Sequence, residues 1–385
     1  MDRPSALVAA FDYQPRTRVV FGPDAIERVG DLARDLGARQ VLVVTDKGIA
    51  AAGHPARAIS FLEGAGLHVS VFDEVRENPT TVDVDRCVEV ARAAGVDLIV
   101  GLGGGSSMDT AKGCNFILTN GGRMQDYWGI GKATQPMLPL IAIPTTAGTG
   151  SECQSFALIS DEETHQKMAC GDPKAAARIA ILDPLLTVSQ PRGVTACTGV
   201  DALAHALETA VTRKRNPLSS MFSREAFRLC MLGLERVLAD PRDLEARGSM
   251  LLGAAFAGTA IENSMLGGAH AAANPLTARY GVVHGQAVGV MLPAVMVFNA
   301  KEPEFRSIYT ELAAAAGIDS FGELIARLET IAASAGLHDS LEKLPIAEGD
   351  FPALAADAAK QWTASFNPRA ITADDFEQLY REVLG

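Results

Sequence analysis

Hydrophobic and polar residues follow two different rhythms along this chain. Up to Pro184, short apolar runs alternate with longer stretches of mixed polarity. Residues 40–45, 69–72, 98–102, 138–143 and 179–182 are the runs, and they are largely apolar. A strand wetted on one face alternates apolar and polar positions, whereas a strand covered on both faces reads as a continuous run. These runs therefore predict buried parallel strands. Between them, residues 50–64, 82–94 and 107–119 are long enough for crossover helices, and residues 17–23 read as a further strand at an edge. The alternation predicts a doubly wound α/β domain.

After Leu185 the β-rich runs stop. Residues 218–238, 244–261, 286–298, 304–316 and 321–335 carry apolar residues at helical spacing and are rich in Ala, Leu and Glu. The change of rhythm near 183–187 predicts a dinucleotide-binding α/β domain over residues 1–185 and an all-helical, metal-binding domain over 186–385. The reaction is expected in the cleft between the two.

Within the helical half, residues 198–209 organise the reading. Val200, Leu203, Ala204 and Leu207 recur at helical spacing, and Thr198 reads as the N-cap. Asp201 and His205 then stand four residues apart on one face, offset by about 40° around the axis and about 6 Å along it. Alone, such a pair reads as an acid beside a satisfied core histidine. A second locus changes the weighting. Gly267-Gly-Ala-His-Ala-Ala-Ala-Asn-Pro-Leu is followed by Gly281-Val-Val-His-Gly, so His270 and His284 sit in apolar, glycine-rich surroundings. The chain has seven histidines (54, 68, 165, 205, 270, 284 and 338), three of them in such settings. One Asp with three His is a plausible ligand set for ferrous iron or zinc.

Ligands of doubly wound sheets bind beyond the carboxyl ends of the strands. Three stretches fall there. Gly101-Leu-Gly-Gly-Gly-Ser-Ser-Met-Asp-Thr-Ala-Lys112 runs from a strand through glycines into a helix. Bare backbone at Gly103, Gly104 and Gly105 admits a pyrophosphate, with the helix N-terminus behind it. Ser106 stands where the dinucleotide fingerprint has its last glycine, and Asp109 follows one turn later. Ile143-Pro-Thr-Thr-Ala-Gly-Thr-Gly-Ser151 crowds the hydroxyls of Thr145, Thr146, Thr149 and Ser151 at a strand end. These suit the amide and phosphates of a dinucleotide, although an ordinary Ser/Thr/Gly loop reads the same way. Asp46 ends an early strand, where a carboxylate accepts from ribose hydroxyls and repels a 2′-phosphate, favouring NAD over NADP.

Composition narrows the class further. A chain of 385 residues with 48% hydrophobic and 21% charged residues is ordinary globular material. A formal charge of −12 argues against nucleic acid or an anionic membrane surface as partner. The apolar run 6–11 is too short for a signal-peptide core, and no later run reaches the length of a membrane span. Six cysteines without a Cys-x-x-Cys pair read as reduced, hence cytoplasmic.

Taken in order, these motifs resemble the iron-containing, or group III, alcohol dehydrogenase family over essentially the whole chain. The carriers are Val44-Thr-Asp-Lys, Asn78-Pro-Thr, Gly103 to Lys112, Ile143 to Glu152, Gly199-Val-Asp-Ala-Leu-Ala-His205 and the segment from His270 to His284. The resemblance implies an NAD(P)-dependent oxidoreductase with one Fe²⁺, or sometimes Zn²⁺. It implies Asp201, His205, His270 and His284 as metal ligands. It implies Asp46, Asn78, Gly104, Gly105, Thr145, Thr146, Thr149 and Lys167 as NAD contacts, and a homodimer or larger assembly. From the residues alone, Asn78-Pro reads as a turn and Lys167 as a solvated charge. There is one departure: the family often has a proton-relaying histidine four residues after the third ligand, and here that position is Asn274, an amide unable to act as a base.

The implied chemistry is hydride transfer between a small alcohol or aldehyde and nicotinamide, with the cation acting as Lewis acid on the substrate oxygen. Leu266, Ala269 and Leu276, with Tyr127, Trp128 and Phe156 as contributors, suggest apolar surroundings suited to a small neutral substrate. The rivals are glycerol-type polyol oxidation on zinc, a dehydroquinate-synthase-like lyase, and a non-catalytic NAD-binding or assembly protein. The lyase would need several Lys or Arg beside the metal motifs, and only Arg279 lies between His270 and His284.

Overall fold

The computed structural model describes residues 10–337 and 346–385. Residues 6–9 of the early apolar run, and His338, lie outside the described residues. Residues 14–190 form one compact unit, and residues 191–385, joined by residues 10–13, another.

The first unit contains β1 (Arg18–Phe21), α1 (Val29–Asp35), β2 (Gln40–Val44), α2 (Lys47–Ala51), α3 (His54–Gly64), β3 (His68–Phe72), α4 (Thr81–Ala94), β4 (Leu98–Gly103) and α5 (Gly105–Asn120). It continues with β5 (Gly129–Ile130), β6 (Leu140–Pro144), β7 (Phe156–Ser160), β8 (Lys167–Gly171) and β9 (Ile179–Leu182). Six of these strands form a sheet in the order β1-β9-β6-β4-β2-β3, every pair parallel. The continuous apolar runs have a simple cause. Val41, Val43, Leu98, Val100 and Leu102 enter one core cluster, and Leu42, Val44 and Ile99 enter another. Alternate residues thus point into separate cores on opposite faces of the sheet, and neither face is free to be polar.

The register sets three strand ends side by side. Val44 pairs with Gly101 and Gly103 pairs with Pro144, so the segments after β2, β4 and β6 emerge from the same edge. Thr145 N–H donates to the Gly103 carbonyl at 2.9 Å and continues the ladder one step further.

Two features differ from the sequence reading. The helix expected over 50–64 is two helices, α2 and α3, broken at Gly53, whose φ of +83° is left-handed. A second, three-stranded sheet, β5-β8-β7, has no counterpart among the expected strands.

The second unit is helical throughout its described residues: α6 (Arg192–Thr209), α7 (Pro217–Ala239), α8 (Leu244–Asn263), α9 (Gly268–Tyr280), α10 (His284–Asn299), α11 (Pro303–Ala315), α12 (Phe321–Ser334), α13 (Phe351–Lys360) and α14 (Ala373–Leu384). Thr198 is not the N-cap of α6. The helix starts at Arg192, six residues earlier, and the Thr198 hydroxyl donates back to the Val194 carbonyl at 2.8 Å. Helix α10 is buried almost all round, which fits its nearly unbroken apolar sequence. It packs on α6 and α9. A Cβ on Gly285 would lie 2.2 Å from the Cys197 carbonyl oxygen, so only glycine lets the start of α10 sit against α6.

Candidate metal and dinucleotide sites

The close seating of α6, α9 and α10 brings the four expected ligands together. Asp201 and His205 lie one turn apart on α6, His270 is in the first turn of α9, and His284 begins α10. Asp201 Oδ1 is the hub: His205 Nε2 lies 3.5 Å from it, His270 Nε2 3.4 Å and His284 Nε2 4.0 Å. Ligand atoms of Asp201, His270 and His284 all fall within 4.8 Å of one another. The His205 and His270 rings stack with centroids 4.8 Å apart, and His270 and His284 are 5.4 Å apart. Asp201, His205 and His270 are buried, whereas the His284 side chain is 29% exposed.

Whether these groups suit a metal is decided by what they lack. Asp201 Oδ1 and His270 Nε2 are buried with no hydrogen-bond partner. A carboxylate oxygen left so costs on the order of several kcal/mol, because its charge has lost water and gained no donor. Donors about 2.1 Å from one cation and spread tetrahedrally stand about 3.4 Å apart, too far to bond each other and right for sharing an ion. The observed separations have that character. Burial alone would raise the Asp201 pKa, yet His205, His270 and His284 outweigh it and hold the carboxyl well below its usual range. Burial likewise opposes charge on His270, but Glu208 and Asp201 push it up to about 9. The site is built to hold positive charge.

Glu208 is the residue that sequence reasoning missed. It lies on α6, 4% exposed, with Oε2 only 2.5 Å from His270 Nδ1. Asn274, four residues after His270, donates through Nδ2 to Gln361 Oε1 at 3.0 Å. Arg279 is committed to Asp357, which removes the one cation that a phosphate- and carboxylate-binding lyase could recruit there. Tyr127 belongs to the core of the α/β unit, where it packs on Phe116 and donates to the Gly121 carbonyl.

In the α/β unit the expected dinucleotide residues gather at the shared strand edge. Asp46 caps α2, accepting from Ile49 N–H at 2.9 Å. Gly103 has φ +150°, and a Cβ there would strike Ser107 Oγ at 2.4 Å while standing 3.6 Å from Asp46 Oδ2. The Asp46 carboxylate therefore borders the glycine turn. Thr146 packs beside Gly104 and Thr149 beside Gly105. Gly105 and Ser106 open α5 behind the N-cap Gly104, at the helix end where backbone N–H groups precede the first intrahelical carbonyl. One turn further, Asp109 Oδ1 accepts from Ser151 Oγ at 3.0 Å, and the buried Lys112 Nζ reaches Ser151 Oγ at 2.8 Å and Ser151 O at 2.6 Å. Lys167 Nζ meets Asn78 Oδ1 at 3.4 Å across 89 residues of sequence, and Asn78 has a φ of +53°. Lys167 also stands close enough to interact with the charge of Asp109, whose pKa burial raises. The buried hydroxyls of Thr45, Ser107 and Thr145 have no hydrogen-bond partner at this edge. Unpaired donors beyond parallel strands are what the phosphates and hydroxyls of a dinucleotide would satisfy.

Comparison with known proteins points the same way. An NAD-dependent methanol dehydrogenase of Bacillus methanolicus is 34% identical over 380 residues, covering 95% of this chain and 97% of that protein. A 1,3-propanediol dehydrogenase of Klebsiella pneumoniae is 34% identical over 380 residues, covering 97% and 98%. The crystal structure of sulfoacetaldehyde reductase from Bifidobacterium kashiwanohense in complex with NAD+ superposes with a TM-score of 0.88 at 29% identity, covering 97% of this chain and 99% of that one. Residues 15–184 match the family described as iron-containing alcohol dehydrogenase, and residues 195–384 match its C-terminal counterpart. With both halves matched, the chain belongs to the iron-containing alcohol dehydrogenase family.

Proposed function

We propose that this chain is an NAD-dependent alcohol dehydrogenase and aldehyde reductase acting on a small, neutral alcohol or aldehyde. In this reading residues 1–185 bind the dinucleotide and residues 186–385 the metal. The observation that carries it is the buried Asp201 Oδ1 with three imidazole Nε2 atoms 3.4–4.0 Å away and no hydrogen bond of its own. Held by Asp201, His205, His270 and His284, a divalent cation (ferrous iron ahead of zinc) supplies Lewis acidity toward the substrate oxygen, and NAD supplies the hydride acceptor or donor.

The residues do the rest. Gly103, Gly104 and Gly105 clear backbone for the pyrophosphate, and the start of α5, with Ser106, offers it N–H groups. Thr145, Thr146 and Thr149 donate hydroxyls without adding fixed charge. Asp46 accepts from the adenosine ribose and repels a 2′-phosphate, which favours NAD over NADP. Asn78, Asp109 and Lys167 complete the contact set. Asn274 cannot exchange a proton near neutrality, so water carries the alcohol proton.

Asp201 balances part of a divalent charge while the three neutral imidazoles leave the centre net positive, which suits an oxygen that becomes anionic. Ala269, next to His270 in sequence, and Leu276, further along α9, are both fully buried and add no polar group to that helix. We read the protein further as a cytoplasmic homodimer or larger assembly. Its six free cysteines support the first point, and the edge strand β1, with Val19 and Phe21 42% and 47% exposed, supports the second. Among the described residues no helix is long and apolar enough to cross a membrane.

The test is to strip the protein with a chelator, restore Fe²⁺ or Zn²⁺, and follow NADH absorbance with a panel of short aldehydes and polyol-derived carbonyls. Aldehyde-dependent NADH consumption that vanishes on chelation and returns with the cation is expected. Equal turnover in the stripped protein would defeat the reading, and a preference for zinc with glycerol-type substrates would favour polyol oxidation instead.

A further inference from the structure

Glu208 occupies a position that a surface-type residue takes only for a reason. It is 4% exposed near the end of α6, two turns beyond Asp201, and its carboxylate is fully engaged. Oε1 accepts from Ala269 N–H at 2.7 Å, and Oε2 accepts from Gly267 N–H at 3.1 Å. Oε2 also lies 2.5 Å from His270 Nδ1. Gly267 and Ala269 flank the start of α9, where backbone N–H groups have no partner inside the helix and the helix dipole favours negative charge. In the same turn, Gly268 N–H donates to Asn367 Oδ1 at 3.1 Å, and Asn367 is itself held by Asn299. Glu208 therefore sits as a charged cap over the first turn of α9, and the third residue of that turn is His270.

The consequence falls on the imidazole. An ionised carboxylate only accepts hydrogen bonds, so the nitrogen facing it must carry the proton. With Nδ1–H committed to Glu208, Nε2 is the nitrogen left to give its lone pair to a cation, and it faces Asp201 Oδ1 at 3.4 Å. Glu208 fixes the ring's tautomer and its rotation, and strengthens the ring as a donor to that cation.

We infer that Glu208 is a positioning residue for the metal centre, holding His270 in the tautomer and orientation that a divalent cation requires. This rests on the metal-centre reading above. It adds a residue that binds no metal itself and yet sets how tightly the metal is held. An amide at this position has one acceptor oxygen in place of two, so it cannot accept from His270 Nδ1–H, Gly267 N–H and Ala269 N–H together, and it carries no charge to strengthen the ring as a donor, with almost no change of volume.

The test uses the full-length chain, stripped by chelation and titrated with Zn²⁺ or Co²⁺ against a chromophoric competitor. Wild type is compared with Glu208→Gln and Glu208→Ala, and the melting temperatures of the stripped forms are recorded in parallel. About 10- to 100-fold weaker binding in Glu208→Gln is expected, with an altered Co²⁺ absorption spectrum and a stripped-state melting temperature close to that of wild type. Wild-type protein that binds Zn²⁺ while Glu208→Gln binds it equally tightly would overturn the inference and leave the metal centre standing. Wild-type protein that binds no cation would overturn both. Should the variants misfold, the zinc-loaded wild type decides, with ¹⁵N-labelled histidine and His270 assigned by substitution. An Nδ1 proton strongly deshielded by a short hydrogen bond to a carboxylate supports the inference, and an Nδ1 proton at an ordinary shift, or a proton on Nε2, refutes it.

Discussion

Glu152 has 2% exposure, and its Oε1 has no hydrogen-bond partner. Burial raises its pKa from 4.5 to about 7 against the opposing pull of its own backbone N–H and of Lys112. A carboxyl whose folded value is raised contributes stability that is fully present below the unfolded value near 4.5. That contribution is lost as pH climbs through 7, and at 1.36 kcal/mol per pH unit it comes to about 3 kcal/mol. Glu152→Gln should therefore match wild type at pH 5 and melt higher than wild type at pH 8. A melting difference that does not grow with pH would contradict this. Asp46 makes a second prediction. Glycine is tolerated at an N-cap, so Asp46→Gly should leave α2 nearly intact while relaxing the preference for NAD over NADP by roughly tenfold, about 1.4 kcal/mol. The ratio of kcat/KM for the two cofactors measures it. Single residues were unevenly legible in the sequence. Asp201 and the three histidines stood out because polar, metal-binding side chains in apolar, glycine-rich surroundings are costly. Glu208 did not, because a glutamate near a helix end is usually solvated, and its burial depends on the turn at Gly267, 59 residues away.

At the scale of elements, the site exists because three helices approach closely. Gly285, next to His284, admits α10 to within contact of the Cys197 carbonyl. Gly285→Ala should force the helices apart, cost about 1–3 kcal/mol, and weaken divalent-cation binding along with stability. Calorimetry of the stripped and loaded forms measures both, and an unchanged affinity would show that the seating of α10 does not set the site. Four strands of the large sheet, β2, β4, β6 and β9, were readable as continuous apolar runs because both their faces are buried. The small sheet was not: β7 and β8 are five residues each, mix Ser, Lys and Gly with apolar positions, and one strand carries Lys167 at its end. Their pairing is antiparallel and local, and nothing in a five-residue window separates it from a loop. Thr198 misled for a related reason. It fits an N-cap by type, but Thr195 and Ala196 are buried and Thr195 accepts from Arg247, so tertiary packing overrides weak local propensity and extends α6 by six positions.

For the whole molecule, the division into an α/β half and a helical half was legible in the change of rhythm near Leu185, while the atoms that meet at each candidate site come from distant segments. Asn78 meets Lys167, Lys112 meets Ser151, and Asp201 meets His270 and His284. No local pattern records such pairings; they follow from the parallel register in one half and from helix seating in the other. The account as a whole rests on Asp201, His205, His270 and His284 holding a single cation. Metal content per chain, measured by elemental mass spectrometry on protein purified without added chelator, tests it most directly. About one iron or zinc per chain is expected for wild type, falling to near zero in His270→Ala and His284→Ala while both remain folded by circular dichroism. Full metal content in either variant, or none in wild type after exposure to Fe²⁺ and Zn²⁺, would contradict it.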